Sequence, residues 1–243
     1  MRAEVLLRAA VTNNAGWCDA VCRSHGHPGE FTARTWISPR HDLPFYPNAI
    51  TLSADVTAAE MAADQDPSRP YGVKDSFARL DLSAVGLAPV FDADWISVLP
   101  EPEAPAGDAP AGDGLRWDPV TDPDELTRWE TAWAGGGAAG LFRPVLLADP
   151  RCTVLACRRG GAVAGGAISY SAGGVTGISN VFKTALPAGP LWASAVRAVA
   201  ALRPGLPVVG YEHGADLDAA RQAGCQILGP LRVWARAPGL DQP

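Results

Sequence analysis

The sequence predicts an α/β (α+β) protein of two unequal lobes, and three observations carry that reading. A chain of 243 residues that is 47% hydrophobic holds enough apolar side chains for a sizeable core. Residues 100–114, PEPEAPAGDAPAGDG, carry four prolines and three glycines and nothing larger than Glu, so they bury too little to offset the entropy of ordering. Beyond them, strand-like and helix-like patterns alternate in the order β-α-β-β-β-α-β-α-β. The expected organisation is a smaller N-terminal α/β lobe over 1–99, a linker over 100–114 and a C-terminal domain over 115–243.

In the N-terminal lobe, TNNAGWCDAVCRSHG reads as a helix capped around Asn13–Asn14 and ended at Gly26, with Trp17, Cys18, Val21 and Cys22 on one side. FTARTWISP and AITLS read as strands and TAAEMAA as a short helix. Between the strands, RHDLPFYPNAI is either an ordinary crossover or a substrate loop offering Arg40, His41, Tyr46 and Asn48. KDSFARLDLSAVGLAPVFDADWISV reads as a helix closed by Gly86 and a strand carrying Trp95. The same helix, glycine and Trp-bearing strand recur at Gly224 and Trp234, with Gly-to-Trp distances of 9 and 10 residues. That spacing suggests that the N-terminal lobe is a truncated relative of the C-terminal one.

In the C-terminal domain, Leu115–Val120 is a short strand. TDPDELTRWETAW is a helix with Asp122 as cap, Pro123 at its first position and Leu126, Trp129 and Trp133 on one face. CTVLACRR and AVAGGAISYS are strands joined through Gly160–Gly161 as a hairpin, and GVTGISNVF is a third strand. A helix starts at Pro190, with Trp192, Val196 and Val199 on one face, and closes at Pro204–Gly205. LPVVGYE is a strand, DLDAARQA a helix stopped by Gly224, and GPLRVWAR the last strand.

Charge and composition narrow the function classes. Net charge is −6 with 20 basic residues, of which only Lys74 and Lys183 are lysines, so no basic surface is advertised for nucleic acid or anionic lipid. The opening MRAEVLLRAAVTNN is too short and too charged for a signal-peptide core, and no apolar run approaches the ~20 residues of a membrane span. The expectation is a soluble, cytoplasmic protein without nucleic-acid or membrane partners. Five cysteines without a secretory signal argue against a disulfide framework. Cys18, Cys22, His25 and His27 have a spacing that zinc can use, but cysteines four apart on an apolar helix face are more often core, and no metal is expected. At the end of the LPVVGYE strand, Tyr211, Glu212 and His213 stand consecutively, where α/β proteins commonly build sites. Either Glu212 or His213 exchanges a proton there, or both cap the following turn with Tyr211 packed beneath.

The opening LRWDPVTDPDEL, the small-residue hairpin VLACRRGGAVAGGAIS and the ending AARQAGCQILGPLRV, taken with the element order, resemble the GCN5-related N-acetyltransferase (GNAT) superfamily over Leu115–Arg236. The resemblance implies a mixed, mostly antiparallel sheet flanked by helices, with Val208–Glu212 central. It also implies acetyl-CoA or another acyl-CoA as co-substrate and a small-molecule amine as acceptor. Gly177–Phe182 would splay from its neighbour and bind pantetheine through its backbone, which points to Asn180, Val181 and Phe182. Lys183, Gly189 and Leu191 would lie where the pyrophosphate sits. Here the chain departs from the pattern: where the family normally has Arg/Gln-x-x-Gly-x-Gly/Ala, KTALPAGPLW has the single glycine Gly189 and Lys183 in place of the Arg, and Pro187 and Pro190 each remove an amide donor. The family's acid, a Tyr, falls on Ala220, and its Asn falls on His213. Glu212 is the first choice for the base, with His213 and Tyr211 beside it. Two readings follow. One is an N-acyltransferase on a small amine; the other is a catalytically inactive GNAT-like binding or assembly module. Aminoacyl-transfer relatives that use charged transfer RNA are a third class, disfavoured by the acidic balance. The N-terminal lobe would then be a degenerate tandem copy.

Overall fold

The structure is a computed structural model that describes residues 2–38, 42–63, 65–100, 114–137, 140–184 and 186–236. Residues 101–113 of the expected linker, Arg40 and His41 of the candidate substrate loop, and 237–243 of the C-terminal domain lie outside the described residues.

The chain opens with α1 (Ala3–Ser24), followed by β1 (Glu30–Phe31), β2 (Thr35–Ile37), β3 (Ala49–Thr51), α2 (Ala58–Ala62) and β4 (Tyr71–Asp75). A 3-10 turn at Ser83–Val85 leads into β5 (Ala88–Val98). Then come β6 (Leu115–Pro119), α3 (Pro123–Trp133), a second 3-10 turn at Pro144–Ala148, β7 (Cys152–Arg159), β8 (Ala162–Ala172) and β9 (Val175–Lys183). The chain ends in α4 (Ala188–Leu202), β10 (Val208–Glu212), α5 (Gly214–Gln222) and β11 (Gln226–Arg236). The order expected after residue 115 is the order found. Local chemistry explains several boundaries. The Asp122 carboxylate accepts from the amides of Asp124 and Glu125, with Pro123 at the first helical position. Thr57 and Glu60 form a reciprocal capping box on α2.

Two expectations fail. Asn13 and Asn14 do not cap α1; they sit in its interior. Asparagine favours caps because its side chain competes for nearby backbone groups, but here distant partners occupy both. Asn13 Nδ2 donates to the Tyr170 carbonyl at 2.8 Å, and Asn14 Oδ1 accepts from Lys74 Nζ at 2.6 Å. KDSFARL is not a helix: Lys74 and Asp75 finish β4, and the helix before Gly86 is the single turn at Ser83–Val85.

The eleven strands of the described residues form one mixed, mostly antiparallel sheet in the order β1-β2-β3-β4-β11-β5-β10-β9-β8-β7-β6. β10 lies centrally, antiparallel to β5 and parallel to β9. Its burial on both faces suits the apolar VVG run. β5 and β11 pair with each other in the middle, so a strand from before residue 100 is enclosed by two from after it. Outward from that pair the order of pairings repeats. β4, β3, β2 and β1 follow β11 as antiparallel, parallel, antiparallel, antiparallel. β10, β9, β8 and β7 follow β5 in the same way. Gly86 and Gly224, which precede β5 and β11, both take the left-handed conformation (φ 79° and 92°).

Helices cover both faces. On one, α1 and α3 pack with Ile168, Tyr170, Val154 and Ala156. On the other, α4 and α5 pack with Leu155, Ala167, Ile178 and Val208. Trp17, Cys18 and Cys22 of α1 are buried as expected, Trp17 among Tyr46, Phe142 and Tyr170. All five cysteines are buried, and none is in a disulfide among the described residues. Among the described residues no helix is long and apolar enough to cross a membrane.

Candidate active site

β9 and β10 run together briefly and then part. They pair at Val208↔Thr176 and Val209↔Gly177 and nowhere beyond. Glycines let the backbones approach closely at this point: a Cβ on Gly210 would lie 2.6 Å from the Ile178 carbonyl oxygen. Past it, Asn180 adopts a left-handed conformation (φ 52°), and the pairing of β9 with β8 shifts register between Gly166 and Ile168. The kink turns β9 away from β10, and the edge of β9 that faces β10 is left without a strand partner.

A cavity of about 570 Å³ opens where the strands part, a size that suits a small molecule. Ser179 and Asn180 of β9 and Tyr211, Glu212 and His213 at the end of β10 form one wall. Asn14, Trp17 and Cys18 of α1, with Phe45 and Tyr46, form another, and Lys74 of β4 closes it beside β11. Side-chain alternation places these groups on two levels. Val208 packs with α4 and α5, whereas Val209 and Tyr211 pack with α1. Glu212, one residue on, belongs to the α4–α5 side, and the cavity reaches it through the gap between β9 and β10.

The polar groups differ in how well they are satisfied. Lys74 is 3% exposed. Its ammonium donates to Asn14 Oδ1 and lies 4.4 Å from the centroid of the Tyr211 ring. Burial disfavours its charge while Tyr211 and Cys18 favour it, and the balance lies above the ordinary lysine value. Glu212 is half-buried. Desolvation, and then the charge of Asp216, push its carboxyl up to about 8, against weaker help from the His213 amide and Lys183. Tyr46 is buried and its hydroxyl donates to no acceptor among the described residues, and burial raises its pKa well above the usual value. Burial likewise raises the Cys18 thiol above its ordinary value.

Of the nine residues singled out from sequence, the cavity gathers four: Tyr211, Glu212, His213 and Asn180. Tyr211 packs edge-on against Trp95, its cross-strand partner. His213 occupies the cap position of α5 but makes no capping hydrogen bond through its side chain. It stacks on Phe91 at 4.7 Å instead. Val181 packs against the apolar core, and Phe182 meets the Trp129 ring edge-on. Lys183 reaches Asp216 at 3.5 Å on the surface. Gly189 lies in the first turn of α4, while the side chain of Leu191 is buried beneath it. Ala220 is wholly buried on α5. From RHDLPFYPNAI the cavity takes Tyr46, while Asn48 is structural: its Oδ1 accepts from the Gly72 amide at 2.8 Å. Sequence reasoning missed Lys74 and Asn14. The available signal for Lys74 was its rarity, as one of two lysines in a chain that otherwise uses arginine. Among the described residues no group of three or more His, Cys, Asp or Glu side chains is placed to hold a metal.

No protein-family model and no curated protein matches the chain. Solved structures do. A GCN5-related N-acetyltransferase from Kribbella flavida aligns over 95% of this chain and 96% of its own at 18% identity, with a TM-score of 0.61. A functionally unknown conserved protein from Staphylococcus epidermidis aligns over 85% of this chain and 92% of its own at 10% identity, with a TM-score of 0.58. A GCN5-related N-acetyltransferase-like protein from Streptococcus suis aligns over 94% and 97% at 12% identity, with a TM-score of 0.50.

Proposed function

The chain has the fold of the GCN5-related N-acetyltransferases, and from that premise we propose that it is an acyl-CoA-dependent N-acyltransferase acting on a small amine. The observation that carries this reading is the splay of β9 and β10 over a small-molecule cavity, with a half-buried carboxyl, Glu212, at the gap.

The unpaired edge of β9 fits the co-substrate's amide-bearing arm, because its backbone donors and acceptors beyond Gly177 face no strand. Asn180, Val181 and Phe182 would hold the arm through main-chain hydrogen bonds. The amides of Ala188 and Gly189, ahead of Pro190, and the ammonium of Lys183 would meet its phosphates. When bound, acyl-coenzyme A supplies the acyl group as a reactive thioester. Glu212, directly or through a water, takes a proton from the protonated amine, leaving the nitrogen lone pair free to form the new amide bond. A carboxylate with a pKa of about 8 is well matched to an amine near neutrality. His213 is the alternative base. The aromatic walls, Trp17, Phe45 and Phe91 among them, limit the water around the reacting nitrogen. With alanine at position 220, no side chain there protonates the departing thiolate, which takes its proton from water. The repeated pairing order of the two half-sheets supports reading residues 1–99 as a degenerate companion that supplies acceptor contacts from Lys74, Asn14 and Tyr46.

Calorimetric titration with acetyl-CoA, followed by transfer assays over a panel of amines, tests the proposal. Saturable binding with transfer is the expected result. Absence of binding would leave the inactive-module reading in its place.

A further inference from the structure

Lys74 is an ammonium buried at the wall of the cavity, in an acidic chain, with no carboxylate paired to it among the described residues. Buried charges are ordinarily paired, because an isolated one forfeits its hydration for nothing. Asn14 and the Tyr211 side chain take two directions of a group that has three N–H donors. A second, independent observation points the same way: the Tyr46 hydroxyl, on the same cavity and buried, donates to no acceptor among the described residues. A charged donor and a neutral donor, set among aromatic rings, match a single-charged acceptor group rather than a phosphate dianion. We infer that the cavity binds a carboxylate, and that the acceptor is a small amino acid whose carboxylate is held by Lys74 with Asn14 and Tyr46.

The amine end rests on the acyl-transfer reading of Glu212; the carboxylate end does not. Lys74 lies over the Tyr211 ring, which packs on the α1 side of the sheet, and side-chain alternation along β10 turns Glu212 to the α4–α5 side. The two sites therefore lie on different levels of the cavity. A substrate that spans them carries its amine and its carboxylate on opposite ends of a short chain, as an ω-amino acid does, and not on one carbon.

The test compares β-alanine, γ-aminobutyrate and δ-aminovalerate with their amides, by calorimetry on the full chain, with and without coenzyme A. The acids should bind at least ~10–10²-fold more tightly than the amides, the range for a hydrogen bond to a charged group. Lys74→Met, which keeps length and loses charge, should erase the difference while retaining a cooperative melt. If the wild-type protein binds the amides as well as the acids, or binds neither under either condition, the inference is wrong; that comparison needs no variant to fold. An acid preference that persists in a folded Lys74→Met overturns it as well. Acetyl transfer to the same compounds separates the two proposals. Lys74-dependent binding of acids without transfer would sink the acyltransferase reading alone. Equal transfer to amines with and without a carboxylate would sink only the inference.

Discussion

β4 and β10 are each five residues long, each pairs in parallel with the strand before it in sequence, and each ends in an acid. The two acids meet different fates. Asp75 is 1% exposed, and its two oxygens accept from the amides of Phe77 at 3.2 Å and Leu80 at 2.7 Å, which tie down the turn that follows. Glu212 is half-buried, has the His213 amide beside it, and is pushed up to about 8. The difference lies in what comes next in the chain. After β4 the backbone folds back over the carboxylate. After β10 it enters α5 directly at Gly214, and α5 brings Asp216 towards Glu212 in place of amides. A carboxylate saturated by amides holds structure together; one left short of donors at a cavity is available for proton transfer.

Glu212→Gln strikes hardest at this contrast. It keeps shape and hydrogen bonding but removes the proposed base, and on the proposed acyltransferase reading should lower kcat by roughly 10²–10⁴-fold without loss of fold. Turnover that survives it but falls with His213→Ala would move the role to the next residue. Asp75→Ala should do the reverse. Stranding the Phe77 and Leu80 amides should cost ~2–5 kcal/mol in denaturant unfolding, since each buried unsatisfied group costs roughly 1–3 kcal/mol.

pH sharpens the contrast further. Because the folded pKa of Glu212 lies above its unfolded value near 4.3, the native state holds the proton more tightly than the unfolded chain. Its contribution to stability therefore falls as pH rises from about 4.3 towards about 8 and stays at its low value above that. Glu212→Gln should remove this slope and stabilise the protein above pH 8, by on the order of 2 kcal/mol once partial exposure is allowed for. Proposed acyl transfer should run the other way in the wild type, with kcat/KM rising through pH 8 as Glu212, the proposed base, ionises. The smallest effect belongs to Asp216→Asn. Removing the repelling charge should lower the pKa of Glu212 and move that limb to lower pH by a few tenths, a size expected for an exposed neighbour. An unmoved limb would assign it to another group.

The legible parts of this molecule were the local ones. Pro123 after Asp122, the Gly160–Gly161 turn and the β-branched run before Gly210 each state their structure within a few residues, and the C-terminal order of elements followed from them. Tyr211, Glu212 and His213 were legible as a group because they crowd the end of one strand. Lys74 and Asn14 were not, because 60 residues separate them and their bond is tertiary. The asparagine pair at 13–14 misled for the same reason: a cap and a long-range hydrogen-bond anchor look identical in sequence. No local pattern could place β5 between β10 and β11, since hydrophobic alternation marks a strand but not its neighbours.

Because β5 lies against β10, and β11 against β4, each half of the chain holds the other's closing strand. Neither half can complete its ladder alone, so melting should proceed as one transition. Folding should be slow, because pairings such as Asp75 with Arg232 and Val98 with Val208 close very long loops. The same interlock makes the covalent link between the halves dispensable once they have met. A single protease cut between residues 101 and 113 would yield two fragments that copurify, and the same two fragments, expressed from separate messages, would reassemble only with each other.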